Sequence, residues 1–130
     1  MFIRNFNPED FNFVVDAWLK SYRTSPWAGV VTNDVYYSTY LHTIESLIKG
    51  GSTIDVVSDL EKLHGFICHS VTDDNKAVVH YIYNKMNVDN TELMLSRVFG
   101  SKPGFYTFKT KKITNYLPGW RYCPEIARRK

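Results

Sequence analysis

The 130-residue sequence lacks the features that mark extracellular, zinc-binding and membrane proteins. Its two cysteines, Cys68 and Cys123, lie far apart and do not have the paired spacing of zinc sites or redox motifs. No apolar run is long enough to cross a bilayer, and the first residues contain no apolar signal core. These absences predict a protein that is not secreted, has no membrane contact, and uses both cysteines as small core side chains.

The sequence also lacks the local motifs of common catalytic sites. It contains no G-x-S-x-G elbow and no Walker loop, so neither a serine hydrolase nor a P-loop enzyme is indicated. His64, His69 and His80 fall on predicted strands, but the neighbouring Cys68 and His69 must point to opposite faces. We therefore predict no metal site. His80 has the side-chain chemistry of a general base, with a packing role as the alternative.

What the sequence does contain is an ordinary globular composition with an uneven charge. Hydrophobic residues make up 44% and charged residues 22%, which suits one packed domain and excludes a disordered chain. The net charge is +3, and many of the basic residues lie within 109–130. This basic C-terminal region is either a contact for nucleic acid or a solvated tail.

Hydrophobic periodicity predicts an element order of β-α-α-β-β-β-α-β-α-β. The predicted strands cover residues 2–6, 53–57, 63–71, 78–84, 105–108 and 120–123. The predicted helices cover residues 8–23, 33–48, 91–99 and 111–117. Short polar turns predict an antiparallel meander, and the later strand–helix–strand unit predicts a parallel crossover. The fold class is therefore α+β (mixed α/β), with a mostly antiparallel central sheet.

Four segments of the sequence match the signatures of a known family. They are W-L-K-S-Y-R at 18–23, V-Y-Y at 35–37, V-H-Y-I-Y-N-K at 79–85 and Y-C-P at 122–124. Together with the element order, they resemble the GNAT superfamily of acetyl-coenzyme-A-dependent N-acetyltransferases, most closely the small GNAT-like proteins of tailed bacteriophages. The resemblance implies a single GNAT-like domain over residues 1–130, with helices on both sheet faces and a basic tail from about residue 124.

The resemblance also implies where a coenzyme would bind. In the family, the central strand splays from its neighbour, its backbone bonds the pantetheine arm, and a glycine-rich turn holds the pyrophosphate. The corresponding positions here are Tyr81, Ile82, Tyr83, Asn90 and Thr91. Asp89 stands where the family has an arginine and Glu92 where it has an essential glycine, so the turn is degenerate. Alternatively, both carboxylates are ordinary acidic residues at a helix start.

The resemblance implies candidate catalytic residues, and the clustering of aromatic side chains indicates candidate interface residues. An active family member protonates the leaving thiolate with a tyrosine, for which Tyr116 and Tyr122 are the candidates beside the possible base His80. Aromatic residues and an arginine gather around the turn between the first two helices, which makes this region a candidate protein interface. Its proposed members are Arg23, Trp27, Tyr36 and Tyr37. Trp18 and Tyr22, four residues apart, are expected in the core.

These observations leave three functional hypotheses. The first is a non-catalytic accessory or virion-associated structural protein of a phage, located in the host cytoplasm or the virion, with a virion or host protein as partner. The second is an active N-acetyltransferase that uses acetyl-CoA, whereas the first expects no cofactor. The third is a nucleic-acid-binding accessory protein that uses the basic C-terminus.

Overall fold

The computed structural model describes residues 1–85 and 88–128 as a six-stranded sheet with five α-helices. The strands are β1 (Phe2–Asn5), β2 (Thr53–Ser58), β3 (Leu63–Val71), β4 (Lys76–Asn84), β5 (Ser101–Tyr106) and β6 (Arg121–Tyr122). The helices are α1 (Phe11–Tyr22), α2 (Asn33–Lys49), α3 (Thr91–Leu95), α4 (Lys111–Tyr116) and α5 (Glu125–Arg128). Two 3-10 turns, Pro8–Asp10 and Pro26–Ala28, precede α1 and α2 respectively. Within these residues, no helix is long and apolar enough to span a membrane.

The strands lie in the sheet in the same order as in the chain. The first four pair antiparallel as a meander, whereas β4 pairs parallel with β5, and β5 pairs parallel with β6. The connections that carry α3 and α4 make the two parallel pairings possible, because parallel neighbours need a long crossover. The predicted α+β class, with its antiparallel meander and parallel crossover, is confirmed.

The two faces of the sheet carry different side chains and different helices. On one face, Trp18 of α1 stacks on Tyr81 of β4 with ring centroids 5.2 Å apart and planes within 5°. On the other face, Asp55 of β2 contacts Arg97, and His69 of β3 contacts Phe99, both just after α3. Trp18 and Tyr22 are buried, as predicted for a core-facing stripe of α1.

Local signals in the sequence explain where the first two helices begin and end. Asn7 and Asp10 form a capping box before α1, and Asp10 also pairs with Arg4 of β1 at 2.8 Å. The Thr32 hydroxyl accepts a hydrogen bond from the Val35 N–H at the start of α2. Gly50 and Gly51 follow its last turn, and the positive φ of Gly51 (98°) suits glycine.

The largest differences from the prediction lie in the C-terminal third. Helix α3 has five residues instead of nine, because Arg97 N and Val98 N bond carbonyls only three residues back and Gly100 then takes a φ of 92°. Strand β5 begins at Ser101, four residues earlier than predicted, and Pro103 and Gly104 lie inside it. Residues 125–128 form helix α5, where a basic tail without secondary structure was predicted; Arg129 and Lys130 lie outside the described residues.

A β-bulge in β4 was not predicted and determines what the sheet presents to the helices. Tyr81 lies opposite Cys68 of β3, but Val79 lies opposite the next residue, His69, so His80 is the extra residue. Such a bulge places two successive side chains on one side of a strand. His80 and Tyr81 therefore both face the layer of α1 and α2.

Candidate functional site

Strands β4 and β5 separate partway along their length. Their pairing ends at Val79 and Tyr106, with one further bond from Thr107 N to Val79 O at 3.2 Å. Beyond this point lies a cavity of about 500 Å³, which we call the splay cavity. It is lined by Ser21, Thr24, Ser25 and Pro26, by residues 81–84 of β4, and by Thr110, Lys111 and Lys112.

The exposed edge of β4 in the splay cavity offers main-chain hydrogen-bonding groups. Lys85 N donates to His64 O at 2.8 Å, and the β3–β4 register places these two residues opposite each other. In an antiparallel pair, residues alternate between bonding the neighbouring strand and pointing away from it. Ile82, three residues from Lys85, therefore turns its N–H and C=O away from β3 and toward the splay cavity.

In its described residues, the turn after β4 is closed by its own side chains. The Asn90 N–H donates to Asn84 Oδ1 at 2.8 Å, and the Thr91 N–H donates to Asp89 Oδ1 at 3.0 Å. The Asn84 side-chain amide also donates to Thr91 Oγ1 at 2.9 Å. The two N–H groups that the family resemblance assigns to a pyrophosphate are thus already bonded. Asn87, which belongs to the same turn in the sequence, lies outside the described residues.

The two carboxylates of this turn have the positions of ordinary helix-start residues. Asn90 is the N-cap and Glu92 stands in the first turn of α3, near the start that the sequence predicts. Hydrogen bonds from the Thr91 side chain and backbone lower the pKa of the Asp89 carboxyl, which is therefore ionised at neutral pH. Neither Asp89 nor Glu92 lines the splay cavity.

The candidate catalytic tyrosines do not line the splay cavity in the described structure. Tyr116 is half-buried at the end of α4 and packs against the core. Tyr122 stacks on Tyr106, with ring centroids 5.6 Å apart, and lines a separate cavity of about 60 Å³. Burial, and next the neighbouring Tyr40, raise the pKa of Tyr122. The two tyrosines proposed from the sequence therefore lie outside the lining of the splay cavity.

His80 is held between hydroxyl groups on two neighbouring segments. Its Nε2 lies 2.9 Å from Ser70 Oγ of β3, and its Nδ1 lies 2.8 Å from Thr107 Oγ1, just beyond β5. The side chain is 1% exposed, and burial lowers its pKa to about 4. At neutral pH the ring is therefore uncharged, with one nitrogen donating and the other accepting.

The other strand histidines have carboxylate partners. His69 Nε2 lies 2.9 Å from Asp55 Oδ2. The partly exposed Arg97 guanidinium donates to the other oxygen of the same carboxylate, Asp55 Oδ1, at 3.2 Å. His64 Nε2 lies 2.7 Å from Asp59 Oδ2. Within residues 1–85 and 88–128, no group of three or more His, Cys, Asp or Glu side chains is arranged to hold a metal ion.

The candidate interface residues divide into core and surface. Tyr36 is fully buried, its hydroxyl donates to Leu19 O, and the Arg23 guanidinium lies 4.7 Å from its ring centre. Tyr36 is therefore a core residue and is unable to meet a partner, contrary to the prediction. Trp27 and Tyr37 remain about 40% exposed, and the Lys109 ammonium lies 4.9 Å from the Trp27 ring centre.

Three residues of these clusters were not singled out from the sequence. Asp55 had a signal, because it is a carboxylate inside the apolar strand 53–57, where an unpaired charge would be costly. Ser70 and Thr107 had no signal in the sequence, because their contact with His80 depends on the strand register and the bulge.

The two cysteines have different environments. Cys68 is buried as predicted, but Cys123 is half-buried and its thiol donates to Glu125.

Three comparisons with known proteins complete the description of the site. No family model matches the chain, and neither the curated proteins nor the solved structures contain a match to it.

Proposed function

We propose that this chain is a GNAT-like protein of the phage type that does not use acetyl-CoA and acts as an accessory or virion-associated structural protein. The observation that carries the proposal is the closed turn after β4. A pyrophosphate would need the N–H groups of Asn90 and Thr91, which Asn84 and Asp89 already occupy. The resemblance to phage proteins supplies the rest of the proposal.

The energetic argument concerns what coenzyme binding would have to displace. The Asp89 carboxylate would have to leave the Thr91 N–H and would then stand beside a polyanion. Because like charges repel, the ionised Asp89 carboxylate would oppose the binding of a pyrophosphate at this turn.

A binding measurement tests the proposal directly. In isothermal titration calorimetry with acetyl-CoA at low ionic strength, we expect no heat of binding in the micromolar range. Detection of the protein in purified virions would support the structural role. Micromolar binding of acetyl-CoA would contradict the proposal, since the proposal holds that this chain does not use the coenzyme.

A second candidate function is an active N-acetyltransferase, and the splay cavity favours it. The cavity is clear of Asp89 and Glu92, exposes main-chain groups of Ile82, and is bordered by Lys111 and Lys112. An extended arm can bond an open strand edge, and two lysines complement phosphate charge. This candidate would place the phosphates near α4 instead of at the turn before α3.

A charge-reversal comparison separates the two candidates. If acetyl-CoA binds along the splay cavity, the double variant Lys111→Glu, Lys112→Glu should bind at least about tenfold more weakly, which is about 1.4 kcal/mol. Lys62→Glu, at the exposed β2–β3 turn and outside the cavity lining, is the control for a charge reversal elsewhere on the surface. Loss of affinity in the double variant alone would establish the second candidate, whereas the first predicts no binding to lose.

A further inference from the structure

A second and larger cavity lies on the α2 side of the sheet. It has a volume of about 760 Å³ and is distinct from the splay cavity. Its lining includes the end of α2, the Gly50–Gly51 turn, Ile126 of α5, Ser70 and His80. The bulge in β4 aims His80 into this cavity, because it turns His80 to the same face as Tyr81. We call it the α2 cavity.

The Ser70 hydroxyl and the His80 imidazole line the α2 cavity, and behind them the Thr107 hydroxyl, outside the lining, completes one hydrogen-bonded row. Ser70 Oγ lies 2.9 Å from His80 Nε2, and Thr107 Oγ1 lies 2.8 Å from His80 Nδ1. Both distances fall in the range that proton transfer and orientation require. The three side chains come from β3, β4 and the residue after β5, so the sheet itself fixes their positions.

We propose that Ser70 is a nucleophile that accepts an acyl group from an activated carboxylic ester, with His80 as its base and Thr107 as the residue that positions His80. Nucleophilic hydroxyls in proteins are activated by an adjacent imidazole that a third group orients. The proposal requires that Thr107 Oγ1 accept from His80 Nδ1–H, so that the lone pair of Nε2 faces the Ser70 hydroxyl.

The chemical step balances with the groups that are present. Ser70 Oγ forms a bond to the carbonyl carbon, and the bond from that carbon to the leaving oxygen breaks. The Ser70 proton passes to His80 Nε2 and then to the leaving oxygen. The products are an acylated Ser70 and a free alcohol or phenol. Lys49 and Glu45 also line the cavity, so its rim carries one charge of each sign.

The buried position of His80 restricts the substrates. Burial keeps the ring neutral and ready to accept a proton, but a base whose conjugate acid has a pKa of about 4 is weak at neutral pH. The site therefore suits esters with good leaving groups, such as nitrophenyl esters, and not unactivated amides. This inference does not rest on acetyl-CoA binding, because the two cavities have no lining residue in common.

Acylation by p-nitrophenyl acetate, followed by peptide mass mapping and nitrophenolate release, tests the proposal. We expect one acetyl group on the peptide that contains Ser70, no such label in Ser70→Ala, and at least tenfold slower labelling in His80→Gln. Ser38→Ala removes an exposed hydroxyl of α2 outside the cavity lining and should label at the wild-type rate. Labelling confined to lysines, or equal labelling of Ser70 in His80→Gln, would overturn the proposal.

Two measurements on the unaltered protein guard against a variant that fails to fold. The labelling rate should stay flat from about pH 5 to 8, whereas a solvated histidine base would show an inflection near pH 6.5. Nitrogen-15 NMR of the His80 ring should show the proton on Nδ1. An inflection near pH 6.5, or a proton on Nε2, would contradict the assigned roles of His80 and Thr107.

Discussion

At the scale of single residues, the core is organised around aromatic side chains on one face of the sheet. Trp18 is fully buried and stacks on Tyr81, and its ring also lies 5.0 Å from Phe108 and 5.9 Å from Phe66. One α1 residue thus joins β3, β4 and the segment after β5. The W-L-K-S-Y-R signature therefore marks a structural residue, as its helical spacing predicted.

Replacing Trp18 should be among the most costly substitutions in the chain. We expect Trp18→Ala to lower the free energy of unfolding by about 3–5 kcal/mol, because it removes the largest buried side chain and leaves a cavity. Urea denaturation followed by far-UV circular dichroism measures the change. Trp27→Ala is the control, since Trp27 is 41% exposed and its removal should cost about 0.5–1 kcal/mol at most, through its contact with Lys109.

Burial of the neutral His80 ring also makes stability depend on pH. The pKa of His80 is about 4 in the folded protein and about 6.5 in the unfolded chain, so the unfolded chain binds more protons between these values. The free energy of unfolding should have its full value above pH 6.5. As the pH is lowered from 6.5 to 4, it should fall by up to about 1.4 kcal/mol per pH unit. Denaturation series at several pH values should show a shallower slope for His80→Gln; identical slopes would show that His80 titrates normally.

At the scale of elements, β4 and β5 lie very close together at the start of their pairing and separate further along. Gly104 of β5 lies so near β4 that an added Cβ would stand 1.9 Å from Ala77 O. Pairing is therefore tight at the start of the two strands and ends at Val79 and Tyr106. The splay cavity opens beyond that point, where the bulge at His80 also redirects β4.

Filling the space at Gly104 should force the two strands apart. We expect Gly104→Ala to destabilise the fold by about 2–3 kcal/mol, since a backbone atom and not a mobile side chain occupies the space. Lys102→Ala, at an exposed position of the same strand, should change stability by no more than about 0.5 kcal/mol. Thermal unfolding of both variants measures the difference; equal melting temperatures would rule out the tight contact.

At the scale of the whole molecule, the element order was predictable and the two cavities were not. Periodicity and turn residues predicted the meander and the crossover because these signals are local. The prediction placed Pro103 and Gly104 before a strand, but tertiary pairing with Ala77 extended β5 through both. The Ser70–His80–Thr107 row needs one extra residue in β4, and a bulge has no separate signal in the apolar run 77–83.

The splay cavity and the α2 cavity both border β4, and the closed turn at the end of that strand is the observation on which the first proposed function rests. Titration of nitrogen-15-labelled protein with acetyl-CoA, followed through the amides of Asn90 and Thr91, tests this most directly. We expect no saturable shift of either amide at micromolar to millimolar coenzyme, because Asn84 and Asp89 keep their bonds to these groups. A saturable shift of both amides at micromolar coenzyme would contradict the account.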